Sequence, residues 1–124
     1  MFELVLQVGF AAAHNLRGYH GNCEKLHGHN WQLDIYLRSN GLDEQGMVLD
    51  FKLAKQHLKP VLDQLDHQYL NDIDYFREKN PTTENIAQYV AQQLAVRLPK
   101  GIRVDRVTAW ESEHCGATYW GETA

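Results

Sequence analysis

Histidines spaced for metal binding are the part of this sequence that most clearly suggests chemistry. Four of the seven histidines lie between positions 14 and 29, and His27-Gly28-His29 places two of them one residue apart. Alternate residues of a β-strand share a face about 6.6 Å apart, so both rings can converge on one ion. His14 follows another predicted strand and would supply a third nitrogen if the two strands pair. Three histidines with an open fourth position are typical of catalytic zinc sites.

The ligand types favour zinc and leave iron, nickel and cobalt open, because imidazole binds all of them. An ordinary surface position is the alternative for any single histidine, but the pair and a third ring one strand earlier favour a metal. His20 lacks that spacing and lies among glycines and asparagines, so we assign it to a loop. The predicted ligands are His14, His27 and His29, with Zn²⁺ as the ion.

Cys23 lies four residues before His27 and has two interpretations. As a zinc ligand it would close the coordination shell and make the site structural. As a thiol near a metal ion and imidazoles it would have its thiolate form favoured, which suits a base or a nucleophile. A lone cysteine without a CxxC partner is unusual in a structural site, so we favour the catalytic role. We expect no disulfide with Cys115, because no export signal is present.

Acidic residues at two other places could take part in the same chemistry. Asp66 and His67 are adjacent, and a carboxylate–imidazole pair that reaches Cys23 would form a proton relay, although such a pair alone is a weak motif. Glu111 ends a predicted strand on its apolar face, where an unpaired carboxylate is costly. It therefore needs a partner or a ligand there, unless the strand end faces solvent.

Two strands near the start of the chain must position the histidines. Alternation predicts a strand over 2–10, a loop over 15–26, and a second strand over 31–37 that His27-Gly28-His29 opens. Asp50 caps a predicted helix, which Pro60 should kink or divide. We assign the apolar face of that helix to Phe51, Ala54, Leu58, Val61 and Leu65.

A long connection over 66–81 precedes a second helix, which Thr82 or Thr83 can cap. Two further strands follow at about 102–111 and 115–121. Strands at both ends with helices grouped between them predict an α+β fold. In it, two helices cover one face of a four-stranded, mainly antiparallel sheet.

The composition is typical of a globular chain and argues against several function classes. Hydrophobic residues make up 44% of the 124 positions and charged residues 23%, so we expect one ordered domain over residues 1–124. The net charge of −4 argues against nucleic-acid and anionic-membrane partners. No apolar run approaches the ~18 residues of a spanning helix, and the first residues lack the basic segment of a secretory signal. We therefore expect a cytoplasmic protein.

Several segments, in the same order, resemble the 6-pyruvoyl-tetrahydropterin synthase family over nearly the whole chain. Within that family the likeness is to the branch that forms 6-carboxytetrahydropterin in queuosine biosynthesis. An ordered series of motifs is far more specific than a histidine pair alone. The segments are Phe10-Ala-Ala-Ala-His14, Cys23-Glu-Lys-Leu-His27-Gly-His29-Asn30, Gly46-Met-Val-Leu-Asp50-Phe51, Leu65-Asp66-His67, Leu70-Asn71, Pro81-Thr-Thr-Glu84-Asn85, Glu111 and Tyr119-Trp-Gly121-Glu122.

The resemblance implies a T-fold, in which a four-stranded antiparallel sheet backed by two helices joins edge to edge into an oligomeric barrel. It implies a homohexamer of two stacked trimers with active sites at subunit interfaces. It implies zinc on the three predicted histidines and Cys23 as the catalytic thiol, with Asp66 and His67 of a neighbouring subunit as acid–base partners. It makes Glu111 the anchor of a pterin ring, and Thr83 and Glu84 match positions close to that ring.

The implied reaction converts 7,8-dihydroneopterin triphosphate to 6-carboxy-5,6,7,8-tetrahydropterin, acetaldehyde and triphosphate, without a redox cofactor. Three residues separate Cys23 from His27, as in the carboxy-forming branch, whereas the pyruvoyl-forming branch typically has a longer interval. Loop length alone does not fix the product, so a pyruvoyl-forming or side-chain-cleaving enzyme stays open. A non-catalytic zinc- or pterin-binding module and a zinc hydrolase are the other classes, and neither needs Cys23.

The tail after Glu111 departs from the family pattern. Glu113 is a second carboxylate close by, but the separation between Glu111 and Tyr119 fits the family, so we keep Glu111 as the anchor. We treat His114 and Cys115 as structural or incidental.

Overall fold

A five-stranded sheet and two α-helices make up the regular part of this computed structural model, which describes residues 1–18 and 24–121. Buried residues of both helices and of one sheet face form a single hydrophobic cluster. The α+β class predicted from the sequence is confirmed. The elements are β1 (Phe2–His14), β2 (His27–Ser39), α1 (Phe51–Leu65), β3 (Gln68–Tyr69), α2 (Thr83–Ala95), β4 (Arg103–Trp110) and β5 (Gly116–Trp120), with 3₁₀ turns at Leu70–Asp72 and Asp74–Phe76.

The strand order in the sheet is β3-β1-β2-β4-β5, and only the β1–β3 pair is parallel. The predicted number of four strands is therefore too low, because Gln68 and Tyr69 pair with Ala12 and Ala13 as a short edge strand. Two residues are too few to produce the alternation that identifies a strand in sequence. The predicted connection over 66–81 thus contains a strand and two 3₁₀ turns.

Alternation along β2 separates the core from a polar sheet face. Leu33, Ile35 and Leu37 are fully buried against the helices, while Gln32 lies on the opposite face and is exposed. Burying such a side chain stabilises the fold by about 1.5–3 kcal/mol. A slip of β2 by one residue would turn these side chains outward, so the core fixes the register that also places the histidines.

Helix α1 begins after Asp50, whose Oδ1 accepts a hydrogen bond from the Lys52 amide at 2.7 Å, as predicted. The helix runs unbroken through Pro60, because Pro60 lies on the exposed side, where solvent can bind the freed carbonyl of Gln56. Phe51 was assigned to the apolar face but is 56% exposed, since it lies in the first turn beyond the edge of the core. Ala54, Leu58, Val61 and Leu65 are buried as predicted.

Of the two candidate caps for α2, Thr82 is the one used: its Oγ1 accepts a hydrogen bond from the Asn85 amide at 3.1 Å. Thr83 is therefore the first helical residue. Neither this helix nor any other in the described ranges is both long and apolar enough to cross a membrane.

Candidate metal centre

Pairing of β1 with β2 brings the three predicted histidines together. The antiparallel register continues to the strand ends, where His14 lies opposite His27 and Ala12 opposite His29. The centroid of the His14 ring lies 4.6 Å from that of His27 and 5.2 Å from that of His29. The centroids of His27 and His29 lie 4.8 Å apart. The strand spacing therefore places all three rings around one point.

Backbone carbonyls fix the orientation of two of these rings. Nδ1 of His14 lies 2.8 Å from the carbonyl oxygen of Pro81, and Nδ1 of His27 lies 2.8 Å from that of Lys25. A carbonyl only accepts, so Nδ1 carries the proton in the neutral form of both rings, and Nε2 of that form presents a lone pair. The two Nε2 atoms are 3.0 Å apart and repel each other unless they share a proton or a metal ion. This arrangement is typical of histidines held for metal binding.

The third ring has a buried nitrogen without a hydrogen bond. Nε2 of His29 has no hydrogen-bond partner among the described residues, although Oε1 of Glu111 lies 3.2 Å away. Burial lowers the pKa of His29, while the charge of Glu111 acts in the opposite direction. The neutral imidazole, the form that binds metals, is thereby favoured. An orphaned polar atom of this kind calls for a ligand.

Glu111 joins the histidines through the same carboxylate oxygen, which lies 3.2 Å from Nε2 of His14. One ligand atom from each of the four residues lies within 4.8 Å of the others, a group able to hold a metal ion. Three imidazole nitrogens and one carboxylate oxygen suit zinc, and they also suit other first-row metals. The residues present therefore fit a metal ion, whose identity they do not fix.

The sequence predicted that Glu111 needs a partner or a ligand, and one of its oxygens lies 3.2 Å from the Nε2 atoms of both His14 and His29, where a shared metal ion would meet that need. Its place in the possible ligand group was missed, because the residue lies just past β4. The available signal was alternation along the strand, which put Glu111 on the face of Val107 and Ala109. Alternation cannot show that the end of this strand lies next to the histidines. Glu113, the rival carboxylate, is 93% exposed beside His114, which is 90% exposed.

The start of α2 lies beside the histidines, since Pro81 supplies the carbonyl that His14 contacts. Thr83, the first residue of that helix, is partly exposed, and Glu84, the second, is exposed. The two predicted substrate-binding residues therefore lie two and three positions beyond the Pro81 carbonyl.

Asp66 and His67 form a local pair that is anchored to β1. Oδ1 of Asp66 accepts a hydrogen bond from the Ala11 amide at 2.9 Å and lies 3.0 Å from Nδ1 of His67. The amide hydrogen bond holds the pKa of Asp66 below its ordinary value. His67 has φ = 59°, a left-handed conformation uncommon outside glycine, and its side chain is 81% exposed.

A cleft of about 540 Å³ runs along this edge of the sheet, and both His29 and His67 line it. Small residues on β1 and β2 form its floor. The other lining residues are Ala11, Ala12, Ala13, Gly28, Asn30, Gln68 and Tyr69. One member of the histidine cluster and one member of the Asp66–His67 pair thus line the same open groove.

Two predicted positions fall outside the described residues. Cys23, the expected thiol, and His20, assigned to a loop, lie between positions 18 and 24, and their roles stay predictions. Cys115 is exposed in the β4–β5 turn.

Comparison with known proteins assigns the chain to a family. The profile described as 6-pyruvoyl tetrahydropterin synthase matches residues 3–122. The chain belongs to this family. Among solved structures of the family, 6-pyruvoyl tetrahydropterin synthase of Caenorhabditis elegans matches with a TM-score of 0.84 at 27% identity, over 98% of this chain and 96% of that one. The resemblance drawn from the motifs is thereby confirmed, whereas the oligomeric barrel stays a prediction.

Two curated relatives in the family carry different names. A 6-carboxy-5,6,7,8-tetrahydropterin synthase of Synechocystis is 38% identical, over 76% of this chain and 75% of the relative. A dihydroneopterin monophosphate aldolase of Pyrococcus furiosus is 33% identical, over 92% of this chain and 93% of the relative. Membership of the family is therefore shown, while the reaction within it needs a separate argument.

Proposed function

We propose that this chain is a zinc-dependent 6-carboxy-5,6,7,8-tetrahydropterin synthase. It would convert 7,8-dihydroneopterin triphosphate and water to 6-carboxytetrahydropterin, acetaldehyde and triphosphate. The observation that carries the proposal is the convergence of one ring nitrogen from each of His14, His27 and His29 in a chain of this family. The Synechocystis relative and the three-residue interval between Cys23 and His27 favour the carboxy-forming reaction.

The three histidines would hold the ion and leave room for substrate. When bound, zinc would act as a Lewis acid toward oxygen atoms of the substrate side chain. The carbonyls of Pro81 and Lys25 would keep two of the rings in the ligating tautomer throughout turnover.

Glu111 would anchor the pterin ring. A carboxylate can accept two hydrogen bonds from the guanidine-like edge of a pterin, and charge-assisted bonds of this kind are stronger than neutral ones. Thr83 and Glu84, just beyond the Pro81 carbonyl, would lie close to the ring. Because Glu111 contacts His14 and His29, an anchor at this position would lie beside the ion, and a bound ring would present its side chain there.

Cys23 and the Asp66–His67 pair would move the protons. The Cys23 thiolate would remove a proton from a side-chain carbon, and His67 would deliver one elsewhere, allowing loss of triphosphate and cleavage of a carbon–carbon bond. Asp66 is placed to hold Nδ1 of His67, leaving Nε2 for proton transfer. We propose that this pair serves the site of a neighbouring subunit in a homohexamer, which would also cover the exposed ring.

The Pyrococcus relative supports a second candidate, cleavage of the dihydroneopterin side chain by an aldolase. Analysis of products by mass distinguishes the candidates when the zinc-loaded protein is incubated with dihydroneopterin triphosphate or monophosphate. Acetaldehyde with a carboxypterin supports the proposal, and a pyruvoylpterin identifies the other synthase. A hydroxymethylpterin with a phosphorylated two-carbon aldehyde identifies the aldolase. Binding of the pterin without formation of any product would identify the chain as a non-catalytic binding module.

A further inference from the structure

Arg17 connects the end of β1 to the segment that precedes α2. Its guanidinium donates to the carbonyl oxygens of Phe76, of Arg77 at 2.8 Å and of Lys79 at 2.9 Å, while Nε donates to Oδ1 of Asn80 at 3.2 Å. Only arginine presents enough donors in one plane to serve four acceptors at once, since lysine has three donors on a single atom. Arg17 therefore ties four acceptors of this turn to the end of β1.

Asn80 completes the connection with reciprocal hydrogen bonds to the Arg17 backbone. Its Oδ1 accepts from the Arg17 amide at 2.8 Å, and its Nδ2 donates to the Arg17 carbonyl at 2.9 Å. The Asn80 carbonyl in turn accepts from the Thr82 amide at 2.8 Å and from Nδ2 of Asn85 at 2.9 Å. These bonds hold both sides of Pro81, whose carbonyl contacts His14.

A second pair of contacts holds the chain between His14 and Arg17. Asn71, which is 8% exposed, accepts from the Asn15 amide at 3.0 Å and donates to the Asn15 carbonyl at 2.8 Å. Leu16 is also held, because its carbonyl accepts a hydrogen bond from the Glu24 amide at 2.8 Å. Residues 15–17 are thus held on both sides, directly after His14.

We propose that Arg17 is a positioning residue, which with Asn80 holds the Pro81 carbonyl against Nδ1 of His14 and so presets this ring for the metal. The inference rests on the proposed metal site but concerns a residue that contacts neither metal nor substrate. Its physical basis is that a ring held in one tautomer and orientation loses less freedom when it binds an ion.

The test compares Arg17→Gln with Arg17→Lys and with Arg77→Gln, a matched control. Arg77 lies on the connected segment, but its own side chain is 65% exposed and contacts Asp74. In the metal-free protein, ¹⁵N NMR of labelled histidines would follow the Nδ1–H proton of His14. We expect the His14 Nδ1–H proton to be protected from exchange with water in the wild type and in Arg77→Gln. Protection should be partial in Arg17→Lys and absent in Arg17→Gln.

Competition titration with a chromophoric chelator would then measure Zn²⁺ affinity of the same folded proteins. We expect about tenfold weaker binding for Arg17→Gln, the lower end of the range for partners beyond the ligands, and unchanged binding for Arg77→Gln. Unaltered His14 protection in folded Arg17→Gln would overturn the inference, as would equal losses in the control. The NMR experiment needs neither metal nor pterin, so it would still test the role of Arg17 if the proposed reaction were not observed.

Discussion

One carboxylate oxygen of Glu111 lies 3.2 Å from Nε2 of His14, although the two residues are almost a whole chain apart in sequence. The end of β4 and the end of β1 meet there because β2 pairs with both strands. The contact gives Glu111 two possible partners, a metal ion held by the histidines and a pterin ring beside it. Separate measurements of metal and pterin affinity distinguish these roles.

Replacing Glu111 with Gln should weaken binding of the product pterin and leave zinc in place. The amide keeps one acceptor but loses the charge, and a hydrogen bond to a charged group contributes about 1.5–3 kcal/mol, or roughly tenfold to a hundredfold in affinity. Direct titration with the pterin and measurement of zinc content would test this. Glu113→Gln, which changes a 93% exposed carboxylate, should behave as the wild type. Loss of zinc from Glu111→Gln would instead identify Glu111 as a fourth ligand.

Replacing His27 with Ala should remove the metal and abolish turnover, because the remaining protein donors cannot hold the ion in an open site. The fold should persist, since His27 lies at a strand end with a side chain that is 35% exposed. Metal analysis, circular dichroism and turnover would be measured together. His114→Ala, a change at a 90% exposed ring, provides the control. Full zinc occupancy in the His27 variant would contradict the assignment.

The histidine cluster could be anticipated from sequence because its determinants are local. The spacing of His27 and His29 fixes one face of one strand, and His14 needs only a hairpin-like pairing to join them. Phe51 shows the limit of the same reasoning, since helical periodicity cannot tell where the core ends. Elements with a strong repeating pattern were therefore placed correctly, whereas the boundary of the core at the first turn of α1 was not.

The contacts that complete the site could not be predicted, because they join distant segments. Nothing in the sequence pairs the Pro81 carbonyl with His14 or the Arg17 side chain with the turn before Asn80. The short strand β3 begins next to the hydrogen bond from the His67 amide to the Ala11 carbonyl, a contact without any periodic signal. Tertiary packing decides such contacts, so they follow from the fold rather than from the pattern.

Replacing Cys23 with Ala should leave zinc and pterin binding intact and reduce turnover about 10²- to 10⁴-fold, the usual effect of losing a positioned general base. Zinc content, pterin titration and single-turnover rates would be compared with those of the wild type. Cys115→Ala is the matched control, because Cys115 is exposed in a turn. If Cys23→Ala loses its zinc, the thiol is a ligand and the catalytic assignment is wrong.

Mixing inactive Cys23→Ala and His67→Ala proteins should restore part of the activity if each site takes its thiol and its imidazole from different subunits. Some mixed oligomers would then contain an intact site at an interface. The assay requires subunit exchange, followed by activity and mass measurements, with each variant incubated alone as the control. Full activity in a monomeric wild-type protein would contradict a shared site.

Replacing Asp66 with Asn should destabilise the protein more at about pH 7 than at about pH 3. The Ala11 amide lowers the pKa of Asp66 below the unfolded value, so the carboxylate contributes stability above the unfolded pKa of about 3.9. That contribution is lost as the pH falls through the folded pKa, where the wild-type side chain becomes neutral like the amide. Urea unfolding at one protein concentration and both pH values would measure the difference. Asp63→Asn, at a 61% exposed position on α1, is the control. An equal effect of Asp66→Asn at both pH values would show that the charge of Asp66 does not stabilise the turn.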